Sequence, residues 1–166
     1  VGTGFMGAGI AAVSAMAGLT VVMIDRSMEL AEKGRESAAA TIASRYKKLT
    51  PGSAEQLDST NRLVATDDYA ALAECDLIIE AVFEDPDLKA QTLAAIEAHR
   101  NPQAIIASNT STLPISGLAK ALNEKGDFLG IHFFSPVEKM RLVELIKGKD
   151  TSNRALAIGF DYSRLI

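Results

Sequence analysis

Gly2-Thr3-Gly4-Phe5-Met6-Gly7, running into Ala8-Gly9-Ile10-Ala11 and followed by Val21-Val22-Met23-Ile24-Asp25, is the stretch that decides the fold. It matches G-x-G-x-x-G, a pattern that carries little weight alone. Its context strengthens it. The loop passes straight into an Ala-rich helical segment, a short apolar strand follows, and an acid ends that strand about 20 residues beyond the first glycine. Glycines let a backbone turn and approach a pyrophosphate without Cβ clashes. A helix N-terminus offers free N–H groups and a partial positive charge to the phosphates. Asp25 would accept hydrogen bonds from adenosine ribose hydroxyls, and its charge would repel a 2′-phosphate, which favours NAD over NADP. Arg26 pulls the other way, since a neighbouring arginine can pair with that phosphate. The plain alternative for the set is a glycine-rich turn and a helix-capping acid.

Outward from this loop, short apolar runs alternate with longer amphipathic ones. Val21–Ile24, Leu77–Val82, Ala104–Ala107 and Phe128–Ile131 read as buried strands of a parallel sheet covered on both faces. Gly7 to Gly18 reads as a helix. Ser27 is a good N-cap for a helix running to about Leu49, where Thr50-Pro51-Gly52 ends it. Asp85-Pro86 opens another helix that ends near Arg100-Asn101-Pro102, with proline at the favoured first position. Pro114 to Leu122 is a shorter candidate, and the polar stretch Gly52 to Arg62 reads as a surface loop. Strands alternating with helices predict right-handed βαβ units and a doubly wound α/β fold, in one domain spanning residues 1–166. Only Val1 precedes the first glycine, although such a loop normally follows a central strand. Thr151 to Ile166 starts like a helix and stops. Both observations lead to the expectation of a piece of a longer chain.

Composition narrows the class. The chain has 166 residues, 48% hydrophobic and 23% charged, enough to build one core. Its net charge of -4 gives no general attraction to nucleic acid or an anionic membrane. No run approaches the ~20 apolar residues of a membrane span. Cys75 is the only cysteine, so no internal disulfide can form, and a reducing, cytoplasmic compartment fits. It reads as a small buried residue beside the Leu77 strand. Arg45, Lys47 and Lys48 read as the solvated, dipole-favoured end of a helix, or as a contact for a ligand's phosphates.

Two further constellations carry chemistry. Ile131-His132-Phe133-Phe134-Ser135-Pro136-Val137 puts a histidine where an apolar strand ends, and Leu142-Val143-Glu144-Leu145-Ile146 puts a carboxylate inside an apolar run. In open α/β sheets the carboxyl ends of strands face the ligand crevice. Histidine titrates near neutrality, so it can take a proton from an alcohol while hydride leaves the same carbon. A carboxylate in an apolar run needs a partner, and Glu144 would hold the imidazole in one tautomer and stabilise its cation. Taken singly, His132 reads first as a core or strand-end histidine and Glu144 as a solvent-facing acid; spacing alone does not pair them. Ala107-Ser108-Asn109-Thr110-Ser111-Thr112, after the Ala104 strand, offers small polar groups for a nicotinamide ribose or a substrate oxygen, or simply a capped loop.

These constellations, with Ile79-Glu80-Ala81-Val82-Phe83-Glu84-Asp85 between them, resemble in content and order the 3-hydroxyacyl-CoA dehydrogenase family over nearly the whole chain. The resemblance implies a Rossmann-like, doubly wound, mainly parallel sheet and NAD-dependent oxidation of an L-3-hydroxyacyl-CoA to the 3-ketoacyl-CoA. It implies His132 as catalytic base, Glu144 as its orienting carboxylate and Ser111 as a hydrogen-bond donor to the substrate's 3-oxygen. It implies a cofactor site of Gly2, Gly4, Phe5, Met6, Gly7 and Asp25, with Asn109 near the nicotinamide end and Glu84 and Lys89 in contact with the cofactor. The alternative for the last two is an exposed helix-start acid and a solvated lysine. Phe134-Ser135-Pro136-Val137-Glu138-Lys139-Met140 looks most like the dehydrogenase part of multifunctional β-oxidation proteins, which implies a hydratase portion ahead of this piece. The family's C-terminal helical domain, which helps close the cleft and drives dimerisation, would follow it. A homodimer or multienzyme complex is the expected assembly of the full-length protein. Two other readings remain: a related dehydrogenase of a short acyl-CoA or a sugar acid, and a non-catalytic nucleotide-binding module.

Overall fold

The computed structural model describes residues 1–47 and 52–166. The glycine loop leads into α1 (Phe5–Met16), which turns at Gly18, where φ is +93°, into β1 (Val21–Ile24). Ser27 sits at the head of α2 (Met28–Lys47), with the Leu30 N–H 3.4 Å from its hydroxyl. The expected end of this helix at Leu49, and Lys48 of the basic cluster, lie outside the described residues. Arg45 and Lys47 are exposed in its last turn, where their charge suits the helix dipole.

The polar stretch expected to be a loop is instead α3 (Ala54–Asn61), followed by β2 (Leu63–Thr66). The reason is a cap that outweighs the weak apolar content. Ser53 accepts from the Gln56 N–H, and the Gln56 carboxamide reaches back to the Gly52 N–H. A 3₁₀ turn over Tyr69–Glu74 then leads to β3 (Leu77–Glu80). Asp85 caps α4 (Pro86–His99) through the Leu88 N–H at 2.8 Å, with Pro86 at the first position as expected. β4 (Ile105–Ser108), the short α5 (Ile115–Leu118), β5 (Phe128–Phe133), β6 (Val143–Ile146) and α6 (Asn153–Leu165) complete the order. The helix expected over Pro114–Leu122 thus keeps one α-helical turn and continues as a 3₁₀ turn at Ala119–Ala121.

β1 and β2 pair in parallel, and β3-β4-β5-β6 form a second group in which only β6 is antiparallel. Val1 and Gly2 bridge the two groups: the Gly2 N–H donates to Ile24 O, and the Ala81 N–H to Val1 O. Elsewhere β1 and β3 flank an apolar slot of about 880 Å³. Cys75 lines this slot and is half-buried, less enclosed than expected, with its thiol pKa pushed up by burial.

Strand alternation sends side chains to two cores. Ile106 and Phe128 join Ile78, Leu93 and Ile96 beneath α4. Ile105, Ala107, Leu129 and Ile131 join Ile10 and Tyr162 beneath α1 and α6. A third cluster packs the alanines of α1 against Ala38 and Ile42 of α2, and the small side chains let the helices approach closely. All four residues of β4 are buried, the pattern of a central strand covered on both faces.

Candidate active site

The cofactor half of the site is built from backbone. A Cβ on Gly2, whose φ is +85°, would stand 2.8 Å from the backbone of Ala81; one on Gly7 would stand 1.9 Å from Gly2 O. These glycines let the loop fold against β3 and α1 start directly above it. Gly4 differs: nothing lies within 4 Å of its absent Cβ, so its surface is open to a ligand. Gly4 is also the N-cap of α1 and supplies no side-chain partner; the first turn leaves the N–H groups of Phe5, Met6 and Gly7 without partners inside the helix. An open glycine beneath a bare helix N-terminus fits a pyrophosphate.

Asp25 follows the carboxyl end of β1 and is partly buried. Its Oδ2 accepts from the Thr3 N–H at 2.8 Å, with the Thr3 hydroxyl at 2.9 Å, and its Oδ1 accepts from the Arg26 N–H at 2.8 Å. Burial pushes the carboxyl pKa up, but these donors outweigh it and hold the group ionised below its ordinary range. Each oxygen keeps acceptor capacity for a ribose hydroxyl. NAD therefore fits the residues present. Arg26 is exposed.

The other half of the site is built from side chains at strand ends. The antiparallel register sets His132 of β5 opposite Glu144 of β6, and Nδ1 lies 2.9 Å from Glu144 Oε2. Sequence spacing could not pair them; the register does. With Nδ1–H donating to the carboxylate, Nε2 carries a free lone pair. The Phe134 ring lies against the imidazole, with centroids 4.5 Å apart. The Asn109 carboxamide oxygen accepts from the Phe133 N–H at 2.9 Å, tying the β4 loop to the histidine strand. A cleft of about 370 Å³ is lined by Met6, Glu84, Asn109, Ser111, His132 and Phe134, among others. It is smaller than the apolar slot, but it holds the reactive groups and touches the glycine loop through Met6. The Ser135-Pro136 peptide, at the edge of this cleft, is cis.

Glu84 is exposed at the start of α4, as the plain alternative has it, but Lys89 is not the solvated lysine of that alternative. Lys89 is 1% exposed, and its ammonium makes three contacts: Glu80 Oε1 at 2.7 Å, Val82 O at 3.2 Å and Glu84 Oε2 at 3.3 Å. The first two are hydrogen bonds and the third is an ion pair, so the buried ammonium is held by this chain's own groups. Glu84 Oε1 faces the Thr110–Thr112 turn, with the Thr110 hydroxyl at 2.5 Å and the Ser111 N–H at 3.0 Å. Burial pushes the Glu84 carboxyl up, but the Thr110 hydroxyl, the Thr112 and Ser111 N–H groups and the Lys89 charge outweigh it and hold its pKa at about 2.

Sequence reasoning missed Glu80 as part of this site. It is 0% exposed, and its second oxygen accepts from the Ser108 hydroxyl at 2.6 Å across the β3–β4 pair. A signal existed. Lys89, Thr92, Leu93 and Ile96 are all buried and fall at i, i+3, i+4 and i+7 of α4, which puts a lysine on the apolar stripe. A lysine there requires a buried acid, and Glu80 and Glu84 are the nearby candidates.

Among the described residues, no helix is long and apolar enough to cross a membrane. Comparison with known proteins agrees with the geometry. The model of the 3-hydroxyacyl-CoA dehydrogenase NAD-binding domain matches residues 1–166. The fatty acid oxidation complex subunit alpha of Pseudomonas savastanoi pv. phaseolicola is 40% identical over 163 residues, which is 98% of this chain and 23% of that protein. The chain thus spans about a quarter of the length of the curated relatives it matches. The crystal structure of (S)-3-hydroxybutyryl-CoA dehydrogenase from Ralstonia eutropha superposes with a TM-score of 0.94 at 38% identity, covering 99% of this chain and 58% of that one. The dehydrogenase part of multifunctional enzyme 1 from C. elegans gives 0.84 at 30% identity, covering 99% of this chain and 37% of that one. A glycine loop above a bare helix end, a His–Glu pair joined across strands and a family match over the full chain agree, and the chain belongs to the NAD-binding domain family of 3-hydroxyacyl-CoA dehydrogenases.

Proposed function

We propose that the full-length protein oxidises L-3-hydroxyacyl-CoA to 3-ketoacyl-CoA with NAD in fatty-acid β-oxidation, and that this chain carries its cofactor loop and catalytic base. The observation that supports this most is the 2.9 Å contact between His132 and Glu144 in a cleft shared with Ser111 and Asn109. A pure nucleotide-binding module needs no such pair.

His132 Nε2 takes the proton of the substrate's 3-hydroxyl. Glu144 fixes the tautomer that frees Nε2 and stabilises the imidazolium that forms. Ser111 donates to the substrate oxygen. NAD, when bound, supplies the acceptor for the hydride released at the same carbon. Gly2, Gly4 and Gly7, with the N–H groups of Phe5 and Met6, hold the pyrophosphate, and Asp25 takes the adenosine ribose. Asn109 stands on the nicotinamide side, joined by Glu84; Lys89 acts there through Glu84 rather than by direct contact. Relatives named as complex subunits support a multienzyme assembly for the longer protein, and a lone cysteine suits the cytoplasm.

The test is NADH formation by the full-length protein with 3-hydroxybutyryl-CoA and a long-chain analogue, each with NAD or NADP. Turnover with NAD and little with NADP is expected, and the ratio of the two acyl-CoA rates reports chain length. Binding of NAD without turnover of either substrate would overturn the reading in favour of another substrate or a non-catalytic role.

A further inference from the structure

The mechanism uses Ser111 but does not explain what holds it. Ser111 is exposed, on a turn beyond the end of β4, with no strand pairing of its own. Its position comes from across the cleft. Glu84 Oε1 lies within 3.4 Å of five donors of the Thr110–Thr112 turn: the Thr110 hydroxyl at 2.5 Å, the Ser111 N–H at 3.0 Å, the Thr112 N–H and hydroxyl at 3.2 Å, and the Ser111 hydroxyl at 3.4 Å. One carboxylate oxygen cannot serve five donors well. The shorter contacts come from the Thr110 and Thr112 hydroxyls and the Ser111 and Thr112 N–H groups, and the longest is that of the Ser111 hydroxyl. That proton is therefore the least committed and the freest to turn to a substrate oxygen.

Glu84 is itself anchored. Its other oxygen lies 3.3 Å from the Lys89 ammonium, which is bound at 2.7 Å to Glu80 beneath the sheet's end. Glu80 has an exposure of 0% and is fixed in turn by the Ser108 hydroxyl and the Val82 N–H. Charged groups this deeply buried persist only when every partner is in place, so the arrangement is rigid.

We propose that Glu84 is a positioning residue for the reaction. Anchored by the buried Lys89–Glu80 pair, its carboxylate fixes the Thr110–Thr112 turn and so aims the Ser111 hydroxyl into the His132 cleft. This rests on the assignment of Ser111 to the substrate oxygen given above. It separates two roles within one turn: backbone N–H groups are used for placement and one hydroxyl is left for chemistry.

A double-mutant cycle on the full-length enzyme tests it, using Glu84→Ala, Ser111→Ala and the pair, with kcat and KM for 3-hydroxybutyryl-CoA. Glu84→Ala alone is expected to lower kcat by up to about 100-fold, the scale of a misplaced catalytic group. In the Ser111→Ala background the same change is expected to cost less than about threefold, because the group it positions is gone. Equal factors in both backgrounds would overturn the proposal, as expected for a residue that serves only the cofactor or only stability. Normal kcat in Ser111→Ala alone would instead overturn the role of Ser111 and the proposal with it. If Glu84→Ala does not fold, Glu84→Gln carries the same cycle. Amide hydrogen exchange at Ser111 and Thr112 is a second measurement: faster exchange in the Glu84 variant supports the anchor, and unchanged exchange removes it.

Discussion

Two acid–base pairs stand at the carboxyl end of the same sheet and are built in opposite ways. His132 and Glu144 share one hydrogen bond, with side-chain exposures of 17% and 50%. Lys89 and Glu80 are 1% and 0% exposed, and every polar atom is used. On the proposed mechanism the first pair changes charge during turnover, so water access and a free ring nitrogen serve it. The second must not change, so saturation and burial serve it. Pairs of similar residue types thus separate into reactive and supporting roles by how completely their hydrogen-bonding capacity is used.

Predictions follow from breaking each pair. His132→Ala in the full-length enzyme should slow chemistry by about 10²–10⁴-fold with little change in melting temperature; near-normal turnover in the NADH assay would remove the histidine from the mechanism. Lys89→Met should leave Glu80 buried and unpaired, at a cost of about 3–5 kcal/mol in denaturant unfolding. Glu80→Gln added to Lys89→Met should recover part of that loss, since both charges go and an acceptor for the Val82 N–H stays. If the single variant is as stable as the parent, the buried pair is not an anchor. Glu144→Gln should cost about 1.5–3 kcal/mol of transition-state stabilisation, read as kcat, while barely moving stability because the group is half-exposed.

The smallest expected effect concerns acid. Glu84 has its pKa lowered from 4.5 to about 2, so the stability it contributes is fully present above pH 4.5 and is lost as pH falls towards 2. The difference in melting temperature between the parent and Glu84→Gln should therefore shrink across that window. A difference that stays constant from pH 6 to 2.5 would show that the Glu84 charge does not stabilise the fold.

Much of this was legible in the residues. The glycine loop, the strand ending at Asp25 and the Asp85-Pro86 helix start depend on local backbone chemistry, and local chemistry is written locally. α3 was legible too, through Ser53 and Gln56, but its lack of apolar periodicity hid it. β6 was visible as an apolar run, whereas its antiparallel direction was not, because direction is decided by the sheet it joins. That is why His132 and Glu144 were identifiable as residue types and not as a pair without the family resemblance. The burial of Lys89 was legible in its place on the buried stripe of α4, whereas its partners were not, because the contacts to β3 and the α4 turn are tertiary.

The pairing of β5 with β6 bears on how this site tolerates change. His132 and Glu144 meet because of strand register, not because of the length of chain between them. The exposed run Glu138–Arg141 lies in that connection, outside both strands. Residues inserted there lengthen a surface excursion at a small entropic cost and leave the dyad intact. A single residue inserted within Val143–Ile146 would turn Glu144 to the opposite face and separate the two groups. The exposed run Glu138–Arg141 is thus open to drift and to loop grafting, while the strand that carries Glu144 is held to its length by the register.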